Sequence, residues 1–364
     1  MSLPHGGNIY HYSMKYGIPE EDFLDFSASI NPLGPPKASL RAMRQAIPSV
    51  VNYPESSSLV LRDSIASRLD TAPASLLVGN GSTELIYLIA RATGPCRALV
   101  FAPTFSDYER AARIAGCGVG YVRLKESGGF MPDMDALKVA LDGVGLLFLC
   151  NPNNPTGTLL DKGLVLDILK LASKAGAFTV LDEAFIEYAP DASVISRAGS
   201  FRRAIVLRNF TKFYGMPGLR VGYMVSHPGV IGRMEKLKEP WSVNIIAQSA
   251  ALAALSDEAY VRKSTLLMDR EKAYLYGELS DMPGIHPYPP SVNFILAKLG
   301  ISGPTASALA ERLASKGILI RDCTNFRGLG GRYIRVAVRT RAQNDKLLKA
   351  LAATAVIPAK AGTQ

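Results

Sequence analysis

The feature that most constrains the fold is a continuous apolar run that ends in an asparagine, proline and glycine turn, reading GLLFLCNPNNPTG over residues 145–157. An unbroken apolar run is typical of a strand buried on both faces of a parallel sheet. Further runs of this kind occur in RALVFAP, in FTVLD and in the residues before Asn209. Because ligands bind at the carboxyl ends of strands in such sheets, the polar residues after each run are candidate site residues.

A lysine lies between two apolar runs in the segment VLRNFTKFYGMPGLRVGYM, residues 206–224. Ammonium groups are almost never fully buried unless they are paired or used. A desolvated lysine loses its proton more easily and attacks aldehydes to form Schiff bases. Arg220 follows a glycine and proline turn that can fold it back beside Lys212, and guanidinium groups match phosphate oxygens. Taken without these neighbours, Lys212 would be an ordinary exposed loop lysine.

Two other strand ends carry polar groups. In LLVGNGSTELIYLIARA a glycine turn precedes a helical pattern, and the start of a helix binds phosphate readily. A plain helix cap by Ser82 or Thr83 would explain the same residues. Asp182 follows the FTVL run, where a buried carboxylate must be paired or hydrogen-bonded. It is therefore either a capping residue or part of a site.

Taken together, these segments resemble the fold-type I enzymes that depend on pyridoxal 5'-phosphate (PLP). The similar branch holds the histidinol-phosphate aminotransferases and the threonine-phosphate decarboxylases. HGGN near the start, LDFSASINPLG and the RDC and YIRVAVR segments look more like the decarboxylases. The resemblance extends to about residue 350 and implies an α/β fold. It implies a large domain with a mostly parallel sheet flanked by helices, and a smaller α+β C-terminal domain.

The resemblance implies that Lys212 carries the cofactor aldehyde and that Asp182 keeps the pyridine nitrogen protonated, which makes the ring an electron sink. The other cofactor-binding residues that it implies are Gly81, Ser82, Thr83, Phe105, Asn154, Asn209, Thr211 and Arg220. Asn209 departs from the family, which usually has serine there. Phe105 and Phe185 stand where tyrosine is common in related enzymes.

The resemblance also implies a substrate site and a homodimer. The implied substrate-binding residues are His5, Gly6, Asn31, Arg321 and Arg335, and which arginine takes the carboxylate and which the phosphate stays open. From the alternation in YIRVAVR alone, Arg335 would be a solvent-facing strand residue. Tyr53 is implied to cross to the cofactor phosphate of the neighbouring subunit.

The activity that the resemblance implies is decarboxylation of L-threonine O-3-phosphate to (R)-1-amino-2-propanol O-2-phosphate, for the side arm of cobalamin. A histidinol-phosphate or related class II aminotransferase would share every cofactor residue, and so stays open. A regulator with the same fold would normally carry an added DNA-binding domain, for which we expect no spare length.

Composition excludes other classes of protein. The 364 residues are 48% hydrophobic and 20% charged, which is typical of a soluble globular protein. No apolar run reaches the roughly 20 residues that span a bilayer, and the start lacks the plan of a signal peptide. The scattered cysteines and histidines predict no metal, and we expect a cytoplasmic protein. The net charge of +10 is dispersed, which argues against nucleic acid and suits phosphorylated anions.

Changes in the sequence pattern along the chain, between helical and alternating strand-like segments, predict its domains. We expect an N-terminal arm over residues 1–36, a large PLP-binding domain over 37–283 and a small C-terminal domain over 284–354. Residues 355–364 show no periodicity and predict a disordered tail. A basic helical stretch is expected around Trp241.

Overall fold

The computed structural model describes residues 6–355. Helices α1 to α12 span, in chain order, Ile9–Tyr16, Lys37–Ala46, Leu59–Arg68, Gly81–Thr93, Ser106–Ile114, Met134–Ala140, Lys162–Lys174, Pro228–Glu235, Ile245–Leu255, Glu258–Ser280, Ala306–Ala314 and Arg341–Ala355. Strands β1 to β13 span Leu24–Asp25, Leu76–Gly79, Arg97–Ala102, Gly118–Arg123, Leu146–Cys150, Phe178–Asp182, Ala204–Asn209, Gly222–Val225, Ile285–Pro287, Phe294–Leu299, Ile318–Leu319, Arg321–Asp322 and Tyr333–Ala337.

The chain forms two compact units. The larger unit comprises Leu33–Asn154 and Thr158–Ser264. The smaller unit comprises the described residues within Met1–Pro32, Pro155–Gly157 and Thr265–Gln364. Helix α10 begins in the larger unit and ends in the smaller one.

A seven-stranded sheet forms the centre of the larger unit, in the order β2-β8-β7-β6-β5-β3-β4. Strand β8 is antiparallel to both of its neighbours, and the pairs from β7 to β4 are parallel. Because β8 runs the other way, its first residues lie at the edge where the other strands end. The predicted fold class, a mostly parallel sheet with flanking helices, is confirmed.

The apolar runs became central strands because both faces of the sheet are covered. All of Leu146–Cys150 is buried. One core cluster contains Leu85 and Ile89 of α4, Ala111 of α5 and Phe148 of β5. Fully burying a leucine or phenylalanine side chain contributes about 1.5–3 kcal/mol, so this layer holds the strand ends in fixed positions.

The smaller unit contains a four-stranded antiparallel sheet in the order β12-β13-β10-β9. Strand β1 pairs in parallel with β11. In the pair of β12 and β13, Arg321 lies directly opposite Arg335. The C-terminal strands therefore form an antiparallel sheet that places two arginines side by side.

The helical prediction around Trp241 is wrong. Helix α8 ends at Glu235, and Trp241 lies in a turn with φ of +58°. Pro240 explains the difference, because proline has no N–H to continue a helix and disfavours helical backbone in the residue before it.

Residues 6–355 lack two features that would point to other classes of protein. No helix there combines the length and apolar character needed to cross a bilayer. No group of histidine, cysteine, aspartate and glutamate side chains in that range is placed to hold a metal ion. The expected tail lies outside the described residues, apart from the backbone of Ala355.

Candidate active site

A pocket in the larger unit lies at the edge of the seven-stranded sheet where the parallel strands end. Its lining comprises Ser82, Thr83, Phe105, Tyr108, Cys150, Asn154, Asp182, Ala184, Phe185, Asn209, Thr211, Lys212 and Arg220. All but four of these were predicted as cofactor-binding residues. The structure therefore brings together side chains from segments far apart in the sequence.

The strand order explains this convergence. Asp182 ends β6, Asn209 ends β7, and Phe105 and Asn154 follow β3 and β5. Arg220 reaches the same edge from the other direction, because it precedes the reversed strand β8. The carboxyl ends of parallel strands are where α/β sheets bind ligands.

The start of α4 forms a narrow cradle with Arg220. Gly81 has φ of +76°, and a Cβ there would lie 2.6 Å from Nη2 of Arg220. A Cβ on Gly222 would lie 2.7 Å from the backbone nitrogen of Ser82. Glycine at both positions lets the guanidinium and the helix start approach each other. Backbone N–H groups, the helix dipole and a guanidinium then face one small volume, which suits a phosphate.

Asn80 precedes the first helical residue of α4, and its side chain makes no capping hydrogen bond. Ser82 and Thr83 lie within the first turn and line the pocket. The alternative interpretation of these two residues as the helix cap is therefore not what the structure adopts.

Asp182 is a buried carboxylate with two hydrogen-bond donors. Its Oδ2 accepts from the hydroxyl of Tyr108 at 2.7 Å, and its Oδ1 accepts from the backbone N–H of Ala184 at 2.9 Å. Burial raises the pKa of Asp182 to about 6, while these two donors and the charge of Lys212 act to lower it. The pair of donors satisfies the group without neutralising it.

Lys212 is half-buried and lines the same pocket. Its Nζ lies 5.9 Å from the centre of the Phe185 ring, which is itself buried. An amine that contacts an aromatic face is partly shielded from water. Lys212 therefore differs from the ordinary exposed lysine that the segment would otherwise predict.

The asparagines of NPNNPTG have different environments. The side chain of Asn151 bonds both backbone groups of Leu160, with donation to its carbonyl at 3.0 Å and acceptance from its N–H at 2.8 Å. Asn153 accepts from the hydroxyl of Thr104 at 2.7 Å and donates to the carbonyl of Pro103 at 2.9 Å. Both hold loops in place, and Asn154 is the asparagine that lines the pocket.

Asn209 is held by its neighbour. Its Oδ1 accepts from the backbone N–H of Thr211 at 3.0 Å and also from the Thr211 hydroxyl. Because the amide oxygen is used in this way, the NH₂ end of the side chain is the remaining donor. The amide can thus serve where related enzymes have a serine hydroxyl.

A second, larger groove of about 1020 Å³ lies among α2, α3 and α9. Its lining consists mainly of alanine and serine, with Asp63 and Arg68 at its margin. Its serine hydroxyls have no histidine or lysine beside them in this lining to activate them as nucleophiles. The pocket of Lys212 and Asp182, whose lining includes an amine and a buried carboxylate, is therefore the candidate active site.

Tyr53 does not line the pocket of its own chain. It is 82% exposed, and its ring lies 5.0 Å from that of Trp241. Tyrosine and tryptophan are enriched at protein interfaces because they offer large rigid contact areas. The position of Tyr53 is compatible with a role outside its own subunit.

The two predicted substrate arginines are close together in the smaller unit. Arg335 is buried, donates from Nη2 to the carbonyl of Ser27 at 2.9 Å, and lies 4.9 Å from the Phe294 ring centre. Burial lowers its pKa to about 10, and the charge of Arg321 contributes. Arg321 is half-buried, and burial lowers its pKa as well.

Gly6 and Asn31 belong to the same unit, and His5 lies outside the described residues. A Cβ on Gly6 would come within 2.3 Å of the Ser27 carbonyl oxygen, so the backbone approaches closely there. Asn31 is buried. Ser27 thus contacts both Gly6 and Arg335, which links the N-terminal segment to the strand arginine.

The sequence matches the family described as aminotransferase class I and II over residues 21–351. The chain belongs to this family. The family predicted from the lysine, glycine-turn and asparagine segments is therefore confirmed.

Threonine-phosphate decarboxylases and histidinol-phosphate aminotransferases are among the proteins similar to the chain. Threonine-phosphate decarboxylase of Salmonella typhimurium is 37% identical, over 95% of each chain. The adenosylcobalamin biosynthesis bifunctional protein CobDQ of Leptospira interrogans is 33% identical over 96% of this chain and 41% of its own. The crystal structure of histidinol-phosphate aminotransferase from Sinorhizobium meliloti with PLP matches with a TM-score of 0.84 and 26% identity, over 97% of this chain and 95% of that one.

The residues that line the pocket of this chain fit PLP. An amine, a buried carboxylate, an asparagine amide and an aromatic ring face the pocket beside a phosphate-sized cradle. These are the groups needed for an aldehyde, a ring nitrogen, a phenolic oxygen, a ring face and a phosphate.

Sequence reasoning missed three pocket residues, Tyr108, Cys150 and Ala184. Tyr108 lies one helical turn after Phe105, a spacing that places two side chains on one face. That spacing was the available signal. Cys150 and Ala184 adjoin predicted residues and contribute through position alone.

Proposed function

We propose that the protein is a PLP-dependent decarboxylase that converts L-threonine O-3-phosphate to (R)-1-amino-2-propanol O-2-phosphate for cobalamin biosynthesis. The observation that carries the proposal is the convergence of Lys212, Asp182, Asn154 and Arg220 in one pocket. The relatives named for threonine-phosphate decarboxylation and adenosylcobalamin biosynthesis support this choice within the family.

We propose that the pocket holds the cofactor at several points. Arg220, Gly81, Ser82, Thr83, Asn209 and Thr211 bind its phosphate, Asn154 donates to its phenolic oxygen, and Phe105 packs on its ring. When bound, PLP supplies an aldehyde that binds amines and a ring that withdraws electrons from the substrate α-carbon. Asp182 keeps a proton on the ring nitrogen. The attraction between a carboxylate and a protonated nitrogen is strongest in a site from which water is excluded.

Lys212 has two proposed tasks. Its amine would hold the cofactor through the aldehyde. After the substrate carboxylate has left, Nζ returns a proton to the α-carbon. A half-buried amine beside the pocket can reach both the cofactor aldehyde and the substrate α-carbon.

We propose that the substrate anions are bound by Arg321 and Arg335, with Asn31, Gly6 and His5 as further contacts. Like charges directly opposite each other on paired strands destabilise a sheet, and both arginines are partly or fully removed from water. A bound carboxylate or phosphate would offset this repulsion. Binding energy from the remote phosphate then fixes which α-carbon bond is broken.

We propose that the protein is a homodimer in which Tyr53 reaches the cofactor phosphate of the second subunit. The exposure of Val51, Tyr53, Val60 and Trp241 supports this proposal, because exposed apolar side chains in one region mark an interaction surface.

A histidinol-phosphate aminotransferase is the second candidate, supported by the similarity to the Sinorhizobium meliloti structure. The two activities differ in their products. The test supplies threonine phosphate or histidinol phosphate, with and without a 2-oxo acid, and measures carbon dioxide and keto product. Carbon dioxide from threonine phosphate supports the decarboxylase, whereas a keto product that requires the 2-oxo acid refutes it.

Two variants test the site assignments. Lys212→Ala is expected to abolish the visible absorbance that lysine-bound PLP gives, and persistence of that band would remove Lys212 from its role. Arg335→Ala is expected to weaken substrate binding far more than PLP binding. Equal losses would move Arg335 out of the substrate site.

A further inference from the structure

The hydroxyl of Tyr108 is fixed in place by its surroundings. Tyr108 is 1% exposed, and its ring stacks on Phe148 with centres 5.2 Å apart and planes at 11°. Phe105 packs against its other side, edge to face, at 5.5 Å. These contacts leave the ring one position, in which the hydroxyl lies 2.7 Å from Oδ2 of Asp182.

We propose that Tyr108 is a positioning residue, whose hydroxyl holds the Asp182 carboxylate ionised and oriented as the partner of the cofactor ring nitrogen. This inference rests on the proposed PLP function. It concerns a residue that never needs to touch substrate and acts only through Asp182.

The direction of the hydrogen bond follows from the electrostatics. Burial, followed by the charge of Asp182, raises the pKa of Tyr108 well above its ordinary value. The hydroxyl therefore keeps its proton throughout the working pH range and stays a donor. A donor to the charged form of a carboxylate favours that form.

The carboxylate needs this donor because burial alone works against its charge. Desolvation raises the pKa of Asp182, and the nearby charge of Glu183 raises it further. The Tyr108 hydroxyl, the Ala184 N–H and the charge of Lys212 lower it. Among the described residues, Cys150 and Glu187 also interact electrostatically with Asp182.

Loss of the hydroxyl would remove one of the two hydrogen bonds to the charged form. The pKa of Asp182 would then rise, and the carboxyl would hold the proton that the ring nitrogen otherwise carries. The packing around position 108 would be kept, because phenylalanine fills the same ring site between Phe148 and Phe105.

The test compares Tyr108→Phe with Tyr87→Phe in the full-length holoenzyme. Tyr87 is the matched control, because its hydroxyl donates at 2.9 Å to Asp107, the residue beside Tyr108 on α5. Both variants lose one tyrosine-to-aspartate hydrogen bond, but only one of these aspartates lines the pocket. The probe is PLP labelled with ¹⁵N in its ring, and the readout is the ¹⁵N chemical shift of the bound cofactor as a function of pH.

In Tyr108→Phe, the ¹⁵N shift at neutral pH is expected to move by more than half of the separation between protonated and neutral pyridine nitrogen. In Tyr87→Phe it stays at the wild-type value. A wild-type shift in Tyr108→Phe overturns the inference. Fluorotyrosine at position 108, a stronger donor of nearly the same shape, must keep the nitrogen protonated, and a neutral nitrogen there also overturns it.

The experiment distinguishes failure of the proposed PLP function from failure of the proposed role of Tyr108. If the wild-type protein does not give the absorbance band of lysine-bound PLP after free PLP is removed, the proposed function fails and this inference fails with it. If wild-type PLP binds through Lys212 and its ring nitrogen is protonated, the function stands, and the Tyr108→Phe shift alone decides the role of Tyr108.

Discussion

Asp182→Asn is expected to stabilise the cofactor-free protein while it removes the proposed function. Burial raises the pKa of Asp182 from the ordinary 3.8 to about 6. At about 1.4 kcal/mol per pKa unit, this difference corresponds to roughly 3 kcal/mol of unfavourable burial of the charged form. Because the folded state binds the proton more tightly than the unfolded state, stability falls as pH rises from about 4 to about 6 and then levels off.

Asparagine fits the site with its hydrogen bonds kept. Its oxygen can accept from the N–H of Ala184, and its NH₂ group can donate to the Tyr108 oxygen, since a hydroxyl serves as donor or acceptor. The variant therefore removes the buried charge while the side chain at position 182 keeps one hydrogen bond to Ala184 and one to Tyr108. The expected gain is up to about 3 kcal/mol at pH 8, and it disappears near pH 3.5.

Urea unfolding of both proteins without cofactor, at several pH values, measures this gain. Asp142→Asn, at an exposed position, is the control and is expected to change the free energy of unfolding by less than about 0.5 kcal/mol. Equal stability of Asp182→Asn and wild type at pH 8, with the same slope against pH, would refute the argument. It would mean that the buried carboxylate is not strained by its site.

Three further changes probe other parts of the structure. Gly81→Ala is expected to weaken PLP binding roughly 10- to 150-fold in a titration of absorbance, because the added Cβ displaces a guanidinium contact worth about 1.5–3 kcal/mol. Gly218→Ala is the control, since a Cβ at that position meets open space and PLP should bind normally. Arg208→Met is expected to lower the free energy of unfolding by about 3–5 kcal/mol in thermal or urea unfolding, because it removes the guanidinium that lies 3.0 Å from the buried Glu183 carboxylate. A loss below about 1 kcal/mol would contradict this. Trp241 is the single tryptophan and is 51% exposed, so dimer formation at its surface should shift its emission to shorter wavelength as concentration rises, and an unchanged spectrum in a sedimenting dimer would exclude that surface.

The location of the pocket was predictable because the end of each apolar run in the sequence marks the end of a buried strand. Unbroken apolar runs mark strands covered on both faces, and the polar residue after each run must then lie at one edge. Asp182, Asn209 and Asn154 follow this rule, and each lines the pocket. Arg220 reaches the same edge from the reversed strand β8, and the glycine and proline turn before it was the signal that it folds back beside Lys212.

The roles of similar side chains within one loop were not predictable in the same way. Asn151, Asn153 and Asn154 lie within one turn, and their environments depend on Leu160 and Thr104. Tyr108 was missed for a similar reason, since an aromatic residue on a helix usually packs in the core. Its ring does so, and only the three-dimensional contact with Asp182 reveals its hydroxyl.

Arg335 marks the limit of periodicity most clearly. The alternation of apolar and polar residues along a strand indicates which side chains share a face of the sheet. It does not indicate whether that face is exposed to solvent. The exposed position that alternation favours is not what the fold adopts, because the guanidinium is buried and lies directly opposite a second arginine. Burial lowers the pKa of both groups, so the arrangement costs stability in the free protein. Two desolvated cations held side by side are a suitable binding place for an anion, and this is the physical reason to expect an anionic substrate.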